Sequence, residues 1–129
     1  SVRVTGTYEA LYDQAGLMLR ASPEAWVKTG IEFVREQQFS AVVTRGFSDW
    51  NVRPVGLPAF VDLKLTRKGD AVQVHVRLPG GEWSLLRLAY FPPDLPAGVG
   101  VYACSPTRGG FRVRFSSFHL GPPDDERPY

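Results

Sequence analysis

A chain of 129 residues, 43% hydrophobic and 12% aromatic, is long enough for one domain with a buried core, and no internal repeat divides it. The formal net charge of +2 comes from basic residues scattered singly, twelve of the fifteen being Arg, which excludes the basic run of a nucleic-acid-binding surface. No apolar segment approaches the roughly twenty residues that span a bilayer, Ser1-Val2-Arg3-Val4 lacks a signal-peptide layout, and the lone Cys104 cannot form an intrachain disulfide, so a soluble, cytoplasmic protein is expected.

Val, Phe and Trp interrupted by turn residues at short intervals, without sustained helical periodicity, predict β structure with very little helix. Residues 1 to 5 read as the end of a strand, 6 to 9 as a turn and 14 to 20 as the next strand. Ala21-Ser22-Pro23-Glu24 is a turn, because Pro fixes φ and the Ser side chain can bond nearby backbone. Strands at 26 to 34 and 39 to 45 follow, and Gly46 to Pro58, with Asp49, Trp50, Asn51 and Pro54 out of clean alternation, reads as a loop able to line a site.

Further on, Lys64 to Arg67 leads into the turn Lys68-Gly69-Asp70, after which Val72, Val74, Val76 and Leu78 alternate with Gln73, His75 and Arg77 as a half-buried strand. Pro79-Gly80-Gly81-Glu82 turns the chain into a strand from Trp83 to Tyr90. Pro92, Pro93 and Pro96 lack the N–H that a ladder needs, so the segment from Phe91 to Pro96 is a surface crossover. Val99 to Cys104 and Phe111 to Leu120 are the last strands, with Cys104 expected as a small buried side chain. About eight strands predict an all-β, two-sheet antiparallel jelly-roll sandwich over residues 1 to 120, with a closed barrel as the alternative and 121 to 129 as a loose tail.

Alternation also separates the faces. Ala15, Leu17 and Leu19 point one way and Gln14, Gly16, Met18 and Arg20 the other, while Val27, Thr29, Ile31 and Phe33 oppose Trp26, Lys28, Gly30, Glu32 and Val34. The two polar sets should share a face, on which mid-strand Gly16 and Gly30 leave room for a ligand or a neighbouring aromatic to approach the backbone. Sugar recognition suits that pattern, with Trp26 or Trp50 stacking on a ring face and Gln14, Lys28 and Glu32 bonding hydroxyls; an ordinary solvated sheet face is the competing explanation.

Glycosidase chemistry needs two carboxyl groups about 5–10 Å apart. The only acidic pair at the two-residue spacing that places carboxylates on one strand face is Asp124 with Glu126, in the tail. His75 and His119 have no Cys or carboxylate at metal-ligand spacing, and no Gly-rich phosphate loop opens a helix, so neither metal nor cofactor is expected.

The run Tyr12-Asp13-Gln14-Ala15-Gly16-Leu17-Met18-Leu19-Arg20, with Trp26-Val27-Lys28-Thr29-Gly30-Ile31-Glu32 and Val42-Val43-Thr44, resembles the uncharacterised family named for regulation of enolase. Asp49-Trp50, Arg67 to Val72 and Leu85 to Pro93 extend the resemblance over nearly the whole chain up to about residue 120. It implies a concanavalin A-like lectin/glucanase fold, similar to the accessory β-sandwich of some xylosidases, and a role in carbohydrate metabolism or sugar binding. Family members usually carry N-terminal strands ahead of the position matching Ser1, so an exposed sheet edge and a homo-oligomer built through it are expected.

Taken together, the residues and the resemblance lead to a non-catalytic, lectin-like carbohydrate-binding domain with contacts at Gln14, Trp26, Lys28, Glu32 and Trp50. A protein-interaction module regulating a metabolic enzyme is the alternative and a weak glycoside hydrolase the third. No nucleic-acid or membrane partner is expected.

Overall fold

Period-two patterning of apolar residues builds two sheets that bury one face of each against the other. A computed structural model describes residues 1–123, and in these the chain forms β1 (Val2–Gly6), β2 (Gln14–Ser22), β3 (Ala25–Phe33), β4 (Gln37–Arg45), β5 (Phe47–Gly56), β6 (Val61–Lys68), β7 (Ala71–Arg77), β8 (Ser84–Tyr90), β9 (Gly98–Cys104) and β10 (Val113–Ser116). One sheet runs β10-β1-β6-β7-β8 and the other β5-β4-β3-β2-β9, with every pairing antiparallel. The fold is the expected two-sheet sandwich rather than a closed barrel. The expected pair Asp124 and Glu126 lies outside the described residues.

Between the sheets sit Ala15, Leu17 and Leu19 of β2, Val27 and Ile31 of β3, and Phe39, Ala41 and Val43 of β4. Val2, Val4, Val61, Leu63, Val72, Val74, Val76, Ala89 and Phe91 face them. Each large aliphatic or aromatic side chain removed from water contributes about 1.5–3 kcal/mol, which makes this layer the main source of stability. Thr29 is fully buried among them because its hydroxyl donates to the Ser40 carbonyl at 2.9 Å.

The segment from Gly46 to Pro58 is mostly strand β5, not a loop. Register explains why its alternation was invisible: Asp49, Asn51 and Arg53 oppose the core residues Val43, Ala41 and Phe39, so the inward positions of this edge strand are polar. They bridge the sheets instead of filling the core. Arg53 donates to Ser84 Oγ at 3.1 Å and to the Leu85 carbonyl at 3.0 Å, and Arg87 donates to Asn51 Oδ1 at 3.0 Å. Inward-pointing charge also protects the β5 and β8 edges against pairing with another chain.

The opposite side is more open. β1 meets β6 only from Val2 with Leu63 to Val4 with Val61, while β6 continues to Lys68. Beyond that point a cleft of about 460 Å³ enters between the sheets, lined by Leu17, Leu19, Leu65, Val99, Arg67 and Trp83 among others. Two further departures follow from the same region. The last strand stops at Ser116, where Ser117 takes φ 54°, and Cys104 is exposed, not buried, because its pairing with Gln14 puts it on the outer face of the sheet while Val99, Val101 and Ala103 turn inward.

Candidate functional site

The outer face of the β5-β4-β3-β2-β9 sheet carries the polar sets. Registers place Gln14 beside Glu32, Met18 beside Lys28 and Arg20 beside Trp26, so the side chains read as one face do share it. Gly16 pairs with Gly30 on one side and with Tyr102 of β9 on the other. A Cβ on Gly16 would overlap the Thr29 carbonyl oxygen and come within 2.6 Å of Gly30 Cα, and one on Gly30 would overlap the Ala15 carbonyl oxygen. The two glycines are therefore required by the close approach of β2 and β3, before any ligand is considered.

Gln14, Lys28, Glu32 and Trp50 line one open hollow of about 420 Å³, together with Tyr12 and Pro106. Trp26 is not part of that lining; its indole N–H donates to the Pro23 carbonyl at 3.1 Å and its ring lies 5.7 Å from Lys28 Nζ. On the floor, Lys28 Nζ donates to Gln14 Oε1 at 2.7 Å and sits 5.4 Å from the Tyr102 ring centre. The ammonium is thus fixed by one amide and by two aromatic rings. Tyr102 has a buried hydroxyl with no protein hydrogen-bond partner among the described residues. Burial pushes its phenol well above the usual range, and the negative charge of nearby Glu32 adds to the effect.

Two aromatic rings stand at the rim, Trp50 at 57% and Tyr12 at 48% exposure. Tyr12 adopts φ 53°, a left-handed conformation rare for a non-Gly residue. Neither its conformation nor the pairing of β9 with β2 is announced by local sequence, so Tyr12, Tyr102 and Pro106 were missed as site residues.

Next to the rim lies a buried carboxylate, Asp13. Its Oδ2 accepts from the backbone N–H of Glu9 at 2.9 Å and of Ala10 at 3.0 Å, and from Arg108 at 2.6 Å, while Oδ1 accepts from Ser105 Oγ at 2.7 Å. Burial alone would raise the Asp13 pKa, but the bonds from Arg108, Glu9, Ala10 and Ser105 outweigh it and hold the carboxyl well below its usual range.

The face presents flat apolar rings beside a donor, an acceptor and an amide, the combination by which small polar ligands are oriented. Glu32 is, among the described residues, the only carboxylate in the lining of the hollow. Among the described residues, no three His, Cys, Asp or Glu side chains are grouped to hold a metal ion.

The architecture is that of a β-sandwich of concanavalin A-like fold. Its sheets superpose on the GH43 protein BlXynB of Bacillus licheniformis with a TM-score of 0.76 at 15% identity, over 87% of this chain and 24% of that one, a likeness of fold alone. The model of the family described as "Protein of unknown function (DUF1349)" matches residues 1–123, and the chain belongs to that family. It is 41% identical over 124 residues to Regulation of enolase protein 1 of Saccharomyces cerevisiae, covering 95% of this chain and 63% of that protein. A crystal structure of a functionally unknown S. cerevisiae protein matches with a TM-score of 0.88 at 41% identity, over 95% of this chain and 67% of that one. An uncharacterised protein of Emericella nidulans is 28% identical over 121 residues, 84% of this chain and 60% of that protein. The chain thus spans about three fifths of the length of these two sequence relatives.

Proposed function

We propose that this chain is a non-catalytic carbohydrate-binding domain whose ligand lies in the hollow on the outer face of β2, β3 and β5. The carrying observation is that Trp50 and Tyr12, both half-exposed, flank Gln14, Lys28 and Glu32 in one open concavity. A sugar ring offers an apolar face to stack on an aromatic ring and an equatorial rim of hydroxyls for the amide, ammonium and carboxylate. Trp26 contributes through Lys28, whose ammonium its ring helps to hold. The lone, exposed Cys104 suits a reducing compartment such as the cytoplasm. A glycan array, followed by titration calorimetry of the best-binding glycan against Trp50→Ala and Glu32→Ala, tests the assignment.

A second reading, a protein-interaction module that regulates a metabolic enzyme, is favoured by one observation: the 41% identical yeast relative is named for regulation of enolase. On that reading the same exposed rings meet a protein partner. Absence of binding across a broad glycan panel, with retention of enolase by the immobilised domain, would select it.

A further inference from the structure

Both residues at one end of the hollow are chain neighbours of a single buried node. Tyr12 immediately precedes Asp13, and Pro106 immediately follows Ser105. The node ties two connections together, residues 7–13 between β1 and β2 and residues 105–112 between β9 and β10.

Asp13 is completely buried, and its carboxylate takes hydrogen bonds from both connections: Glu9 and Ala10 from the first, Ser105 and Arg108 from the second. Arg108 also donates to the Thr7 carbonyl at 3.1 Å and lies 3.6 Å from Glu9 Oε2. Thr107 Oγ1 donates to the Leu11 carbonyl at 3.1 Å, Asp13 N–H donates to the Ala10 carbonyl at 3.0 Å, and the Asp13 carbonyl accepts from Phe33 N–H at 2.9 Å. Tyr12 is the residue left between two anchored neighbours. Its positive φ follows from that clamping; its own carbonyl accepts one long bond, from Gln14 Nε2 at 3.3 Å, and its ring is half-exposed.

We infer that Asp13 is a positioning residue for the ligand hollow: its bonds to Arg108 and Ser105 hold Tyr12 and Pro106 at the rim in the geometry that receives the ligand. This rests on the carbohydrate-binding reading for its purpose, but not for its test. Asp13 touches no ligand and acts through its neighbours. Without the node, Tyr12 relaxes toward negative φ and its ring leaves the rim.

The test uses 3-fluorotyrosine-labelled protein, with the Tyr12 fluorine signal assigned from Tyr12→Phe. Asp13→Asn and Arg108→Gln should each shift and broaden the Tyr12 signal, Arg108→Lys should return it part of the way, and Ser105→Ala should move it least. If Asp13→Asn does not fold, Arg108→Gln and Ser105→Ala carry the same reading. Affinity for the best glycan on the array should weaken about threefold to tenfold, the worth of one aromatic contact. An unmoved Tyr12 signal in folded Asp13→Asn or Arg108→Gln overturns the inference. So does a moved signal with unchanged affinity. Failure of every glycan to bind the parent protein removes the carbohydrate reading instead, and the fluorine signal still decides whether Asp13 sets Tyr12.

Discussion

Replacing Gly16 by Ala puts one methyl group where the β3 backbone already lies, and the consequence can be worked from the structure. The added Cβ overlaps the Thr29 carbonyl oxygen and reaches Gly30 Cα, so relief must come from backbone rather than from a flexible side chain. Forcing a methyl group into packed structure costs about 1–3 kcal/mol. Opening the ladder there weakens up to two hydrogen bonds, each worth about 1 kcal/mol. The lower entropy of an unfolded chain with Ala returns about 0.4–1 kcal/mol. The net is a loss of about 2–4 kcal/mol, or about 8–16 °C in Tm for a domain of this size. Urea titration followed by tryptophan fluorescence measures it, with Gly98→Ala, whose Cβ meets nothing within 4 Å, as the control expected to change stability by less than about 1 kcal/mol. A Gly16→Ala protein as stable as the parent would refute the claim that close strand approach, and not space for a ligand, fixes glycine at this position of β2.

Acid should destabilise the fold through two carboxylates held below their usual range: Asp13, faced by Arg108 and Glu9, and Asp62, bonded by Arg3 and Arg77. Because the folded pKa values lie below the unfolded value of about 3.9, the unfolded state binds more protons in acid. Their stabilisation is complete above about pH 5 and is lost as pH falls through that value toward the folded ones; urea melts from pH 7 to pH 3 should show this slope, and a flat profile would count against it. Chromogenic glycosides should be turned over no faster than in buffer, since among the described residues the hollow has one carboxylate in its lining where a glycosidase needs two; turnover that vanishes in Glu32→Gln would reverse this. The stretch of β6 from Leu65 to Arg67, which β1 does not pair, lies beside a cleft whose wall includes Val99 and should support reversible self-association. Light scattering should show mass rising with concentration and falling back in Val99→Lys, and a monomer throughout would contradict it.

Much of the fold was legible because apolar alternation in β2, β3 and β7 matched the side each strand buries, and the face shared by Gln14, Lys28 and Glu32 followed from the same parity. β5 escaped because its inward positions, Asp49, Asn51 and Arg53, exchange apolar contact for polar bridges to β8, which erases the hydrophobic period. At the site, Trp50 could be suspected from composition, whereas Tyr102 joins the face only through the pairing of Gly16 with a strand more than eighty residues away. Tyr12 depended on a backbone conformation set by the bonds around Asp13, and Cys104 on the register that sets it beside Gln14 on the outer face. Local sequence encodes side and strand; it does not encode which distant loop will clamp a neighbour.

The most direct test of the central claim is calorimetric titration of the best array-selected glycan into four proteins: the parent, Trp50→Ala, Glu32→Ala and Trp26→Ala. Each protein is first shown to melt cooperatively. Saturable binding by the parent, lost in Trp50→Ala and in Glu32→Ala but largely kept in Trp26→Ala, is the predicted result, because only the first two side chains line the hollow. Full affinity in both Trp50→Ala and Glu32→Ala would contradict it.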